Sequence, residues 1–206
     1  MLVQKTTDDF VLPQVIKSRL ASLLSLLFSP FVVPIAAILF LVRVYAQTRE
    51  QFALWASISV LFVNVLPFLY IYISVKLGKL TDIHVVIREQ RKAPLLFALL
   101  SALVGVFILH LLDAATGLIH LGISYIVNAI VFLFITQFWK ISLHCGVVAG
   151  CVTALAYIVT PKMAFLFFLI PIVGWARIQK KRHTLIQTLA GAIIAIIVTK
   201  LTLLGL

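Results

Sequence analysis

The chain has 206 residues, 63% of them apolar and 11% charged, with a mean hydropathy of +1.19, whereas a soluble domain is nearer half apolar and a quarter charged. This excludes a soluble globule and leaves room for six or seven spanning helices of ~20 residues with almost no mass outside the bilayer. Seventeen Lys and Arg against six Asp and Glu give +11, which points to an anionic partner such as lipid headgroups or phosphate, and no polar domain remains to read nucleic acid.

Residues 1 to 19 contain Asp8, Asp9 and Pro13 and read as an interfacial segment rather than a cleavable signal. The first span runs from about Leu20 to Val44, kinked at Pro30 and Pro34, which a membrane helix tolerates when neighbours re-satisfy the freed carbonyls. A second runs from Ala53 to Val75. After the polar stretch 76–94, Pro94 suits the first turn of a third span to Leu112. The fourth covers Leu118 to Trp139, and the fifth begins at Ser142 and stops before Pro161. The sixth, Met163 to Ala176, is short for a full crossing and open to a re-entrant reading; the seventh is Thr184 to Leu206. The expectation is one all-α domain over 1–206, a polytopic integral membrane helical bundle of six or seven transmembrane helices.

If all seven runs cross, segments 76–93, 140–144 and 177–183 share one membrane face. With the N-terminal segment, that face carries 13 of the 17 basic residues. The positive-inside rule makes it cytoplasmic, although a basic active site biases the same count. Cys145 and Cys151 fall in one apolar run without metal-ligand spacing and read as packing residues. His110, Asp113 and His120 lie toward the opposite face and are assigned no role.

Three polar clusters border the spans. In the first, Lys79, Asp82, Arg88, Glu89, Arg91 and Lys92 precede Pro94, and a helical turn would aim Arg88, Arg91 and Lys92 the same way. A juxtamembrane basic loop touching lipid phosphates would look the same. In the second, 140–146, Lys140 precedes Ser142 and His144 at a helix opening, with Gly146 and Gly150 one turn apart. Small residues at that spacing let another backbone approach, and a helix start suits a phosphate oxygen; an interfacial His beside a capping Ser is the plainer alternative. In the third, 177–191, a bend before His183 would turn Arg177 back toward it, and Gln187, four residues on, could fix one imidazole N–H so that the other nitrogen faces a phosphorus. An ordinary basic hinge would have the same composition.

The order and spacing of these clusters resemble the type-2 phosphatidic acid phosphatase (lipid phosphate phosphatase) superfamily, whose signatures are K-x6-R-P, P-S-G-H and S-R-x5-H-x3-D. The third matches as Ala176-Arg177-x5-His183-x3-Gln187, and the second as Ile141-Ser142-Leu143-His144. In the first, counting back from Arg91 puts His84 at the leading position and Lys92 follows Arg91, which leaves Arg88, Arg91 and Lys79 as substitutes. The resemblance covers roughly residues 76 to 191.

It implies metal-independent, cofactor-free hydrolysis of a lipid phosphate or polyprenyl diphosphate by a multi-pass protein of the plasma membrane. Residue by residue, it makes His183 the nucleophile that becomes a phosphohistidine and His144 the acid on the leaving oxygen. Ser142, Arg177 and Arg91 then hold the other phosphate oxygens, with Arg88, Lys79 and Lys140 alongside. Gln187 stands where the family has the orienting Asp, and Asp82 is the first choice for a replacement carboxylate. The chain has six acids and no D-x-x-D, which argues against a Mg2+-dependent headgroup transferase. The alternative from another class is a non-catalytic anionic-lipid binding or lipid-moving protein that keeps the phosphate cradle.

Overall fold

The computed structural model describes the backbone of residues 3–206 and the side chains from Gln14 onward; Lys5, Asp8 and Asp9 lie outside the described side chains. The protein is an all-helical membrane bundle. Helix α1 spans Val3–Leu27 and α2 spans Val32–Tyr45. Helix α3 (Arg49–Val60) continues through a π-helical turn, Leu61–Val65, into α4 (Leu66–Lys76). A 3-10 turn at Arg88–Arg91 leads into α5 (Lys92–Leu111), followed by α6 (Thr116–Phe138) and α7 (Leu143–Ile158). A second 3-10 stretch, Pro161–Phe168, precedes α8 (Leu169–Gln179), and α9 is Leu185–Leu204. Among the described residues, five continuous helical stretches are long and apolar enough to cross a bilayer, and the bent pair α1–α2 makes a sixth.

Three expectations change. The first span is two helices meeting at 43° rather than one kinked rod, because Pro34 lacks an N–H and Ser29-Pro30 interrupts the ladder. Asn64, brought inward by the π-helical turn, donates from Nδ2 to the Phe31 carbonyl at that break over 2.7 Å. The segment 1–19 is not separate from the span, since α1 runs through it from Val3. The sixth run is not the short one: with its 3-10 entry it occupies 19 residues, Pro161–Gln179. The steeper 3-10 rise stretches those residues to about 32 Å, a full hydrocarbon thickness.

The short element is α7, whose 16 residues span only about 24 Å. It can be short because it is central: ten of its residues are buried, so it meets protein rather than lipid along most of its length. Helix α9 is its main neighbour. Of the glycine pair expected to admit another backbone, Gly146 does so within the chain, whereas Gly150 faces the side chains of Thr199 and Ala195. A Cβ on Gly146 would lie 3.2 Å from the Gly191 carbonyl oxygen, and one on Gly191 would come within 2.5 Å of the Ser142 carbonyl oxygen. Helix α9 therefore presses backbone to backbone on the segment leading into α7. The outer faces carry exposed aromatic and aliphatic residues such as Phe107 and Phe134, as lipid contact requires.

Replacing Gly191 with Ala is expected to cost about 1–3 kcal/mol, seen as a lower melting midpoint in detergent. Gly174→Ala, whose new carbon would meet Thr188 at an ordinary 3.7 Å, should leave that midpoint nearly unchanged.

Candidate functional site: a basic cleft with three imidazoles

Three loops converge at one end of the bundle, and local chemistry explains the shape of each. Helix α4 stops at Gly78, whose φ of +70° places it at the left-handed position of a Schellman cap: Lys79 N–H donates to the Ser74 carbonyl and Gly78 N–H to that of Val75. The loop beyond is held by Asp82, whose Oδ1 accepts from His84 N–H at 2.6 Å. Val85 follows at φ +44°, an unfavourable angle for a β-branched residue, with its N–H donating to the Asp82 carbonyl. Arg91 then reaches back. Its Nε donates to the Val85 carbonyl at 2.9 Å and its Nη1 to the Ile141 carbonyl at 3.0 Å, tying the first cluster to the second.

Helix α8 ends in a second Schellman cap with Lys181 at φ +52°: Arg182 N–H donates to the Arg177 carbonyl and Lys181 N–H to that of Ile178. This is the bend that turns His183 back toward Arg177. Thr184 and Gln187 form a capping box that starts α9, and the same Gln187 Oε1 lies 3.2 Å from His183 Nδ1. Ser142 N–H donates to the Gln187 carbonyl at 3.2 Å, joining the second cluster to the third.

The result is a cleft of about 760 Å³, open to solvent, whose lining includes His84, Arg91, His144, Arg177 and His183. Four of these are nearly fully buried: Arg91 4%, His144 5%, Arg177 5% and His183 7% exposed. The His84 ring is centred 6.4 Å from that of His144. Among the described residues the only ion pair is Arg88 with Glu89, so neither buried guanidinium is in contact with a carboxylate. Arg177 Nη1 is 3.4 Å from Ser25 Oγ of α1, while Arg177 Nε and His144 Nε2 are buried without a hydrogen-bond partner. Such groups are costly unless something negative and hydrogen-bonding meets them.

The other sequence-derived residues divide. Ser142 is fully buried, and its Oγ accepts from Cys145 N–H at 3.4 Å as the cap of α7, outside the cleft lining. Lys140 is half-buried and feels the charges of Arg91, Arg182 and Arg177; loss of hydration, then those charges, lower its pKa. Arg88, Arg91 and Lys92 do not aim the same way. Arg88 pairs with Glu89 and donates to the Gln137 carbonyl, Lys92 is exposed, and only Arg91 has two backbone acceptors to draw it inward. Lys79 is exposed and does not line the cleft. Asp82 is bonded to the His84 backbone, not to His183. His84 and Ser25 were not expected. His84 stands where counting back from Arg91 puts the leading position of the first signature, and that register was its signal; Ser25 had none.

Burial, then the charges of Arg177 and Arg91, hold the His183 imidazole down at about 3, against a smaller upward pull from Gln187. For His84, loss of hydration lowers the pKa, Asp82 opposes it, and Arg177, Arg182 and Lys180 add to the lowering. Both rings are therefore neutral at neutral pH, with a lone pair available. Among the described residues, no group of three or more His, Cys, Asp or Glu side chains is gathered closely enough to hold a metal ion. The chain matches no family model, no curated protein and no solved structure.

Because folding keeps His183 neutral while the unfolded chain takes up a proton below about 6.5, stability rises with pH across that window and is lost as pH falls from 6.5 toward 3. The melting midpoint should drop over that range, with a shallower slope in His183→Gln.

Proposed function

We propose that the protein is a multi-pass phosphatase of the plasma membrane that hydrolyses a lipid phosphate or diphosphate without metal, through a phosphohistidine. The observation that carries this reading is the pairing, on one cleft, of two buried guanidiniums, without a carboxylate partner among the described residues, with the imidazoles of His144 and His183. A phosphate is the anion whose oxygens match planar guanidinium donors. Fixed cations in a recessed site supply the charge stabilisation that phosphoryl transfer needs.

In this reading Gln187 Oε1 accepts the His183 Nδ1 proton and leaves the Nε2 lone pair facing phosphorus. The Nε2–P bond forms as the P–O bond to the lipid breaks, and His144 gives a proton to the departing oxygen. His144 then takes a proton from water, whose oxygen attacks phosphorus; the P–N bond breaks, and phosphate leaves with His183 neutral again. Arg177 and Arg91 hold the non-bridging oxygens, Arg177 with its free Nε–H and Arg91 with the guanidinium protons not spent on Val85 and Ile141. His84 takes part in place of the family's leading Lys, and Ser142 acts on the site through the start of α7 rather than through its hydroxyl.

A second reading has its own observation. Gln187 carries no charge, and among the described residues no carboxylate touches His183, which favours a non-catalytic lipid binder or lipid-moving protein. Phosphate release from purified protein with EDTA present separates the two. For the phosphatase, His183→Ala and His144→Ala should each lower turnover by at least about 10²-fold. Lipid binding without release, unchanged by either substitution, would establish the binder. Gln187→Glu places a carboxylate at nearly the same reach; it should raise turnover at least about tenfold, part of the ~10⁴ that an uncharged orienter costs in a Ser-His-Asp triad. Unchanged or lower turnover would remove Gln187 from the orienter's role.

A further inference from the structure

Beside the basic cleft lies a second, apolar pocket, partly open to its surroundings, with about 930 Å³ of empty space including its open side and a lining drawn from α2, α3 and its π-helical turn, α5, α6, α7 and α9. The two spaces adjoin: Val63, Leu95, Tyr125 and Leu143 line both. The apolar pocket follows α5 from Leu95 to Leu109, about 21 Å along the helix axis, which is two-thirds of the ~30 Å hydrocarbon layer.

Its lining is overwhelmingly apolar. Two of the hydroxyls along it are spent within the protein, Ser59 donating to the Trp55 carbonyl and Ser124 to that of His120, while Asn128 Nδ2 donates to Thr199 Oγ1. Asn128 Oδ1 alone among these is buried without a partner. An apolar pocket of this length adjoins the groups that would hold a phosphate.

We propose that the cavity takes the hydrocarbon chain of the lipid whose phosphate sits in the cleft. The chain passes Val63, Leu95, Tyr125 and Leu143 and lies between the helices rather than along the outer faces of the bundle. The substrate class is then a lipid phosphate or diphosphate with one alkyl or prenyl chain, the number of chains that one pocket beside the phosphate-holding groups takes. The identity of the headgroup rests on the phosphatase reading; the path of the chain does not depend on turnover.

The test uses the full-length protein in lipid nanodiscs with dodecyl phosphate carrying a diazirine at the chain terminus. Photo-adducts should map to cavity residues such as Val147, Ala129 and Asn128 and be suppressed by unlabelled dodecyl phosphate. Dioleoyl phosphatidic acid should compete at least about tenfold less well. Adducts confined to the outer residues Phe107 and Phe134, or indifferent to competitor, would overturn the proposal, and equal competition by the diacyl lipid would overturn its single-chain part. Val147→Phe, which fills the cavity away from the basic residues, should cut adduct formation about tenfold and leave binding of inorganic phosphate intact. Phosphate release from the same probe, assayed separately, keeps the two ideas apart. Cavity adducts without release sink the phosphatase and spare the chain path, whereas release with outer adducts does the reverse.

Discussion

Arg91 is the residue on which the geometry of the cleft turns. Its guanidinium is buried, and its contacts are backbone carbonyls, Val85 on one loop and Ile141 on another, rather than an acid. Each bond stabilises a loop that ordinary propensity would not hold: Val85 sits at a positive φ, and Ile141 lies in the extended link before α7. A charge used in this way leaves the site with an unbalanced positive potential, since the bonds satisfy its protons without cancelling its sign. Backbone carbonyls thus position the cation, and among the described residues no carboxylate is paired with it.

The same division runs through the rest of the cleft. Gln187 is at once the capping residue of α9 and the partner of His183. Ser142 is at once the cap of α7 and the donor to α9. The residues that start α7 and α9 also tie the cleft together, Gln187 by its side chain and Ser142 by its backbone N–H, so the imidazole geometry inherits the rigidity of two helix termini. The close approach of Gly191 to Ser142 keeps these termini together.

Much of the architecture could be read from hydropathy, because a helix facing lipid has to be apolar over a span's length and α5, α6 and α9 are so without interruption. What hydropathy could not show was winding. Residues 161–168 look like part of a short span until their 3-10 rise is counted, and α7 looks like a full span although its burial relieves it of that length. At the site, the spacing of Arg177, His183 and Gln187 was informative because the intervening turn is local: Lys181 and Arg182 close it within five residues. The first cluster was misread for the opposite reason. Which of Arg88, Arg91 and Lys92 turns inward depends on carbonyls as far away as Ile141, and helical periodicity knows nothing of them. Ser25, 152 residues from Arg177, was beyond any local pattern.

That last separation bears on how the protein is made. Ser25 and Ser22 of α1 meet Arg177 and Lys180, the latter pair 158 residues apart, so two helices far apart in sequence form one wall. Contacts of such sequence separation close late. Helices α1 and α8 therefore have to be in the bilayer together before Arg177 and Lys180 find their serine partners, and the wall they form closes only once the segments between them are in place.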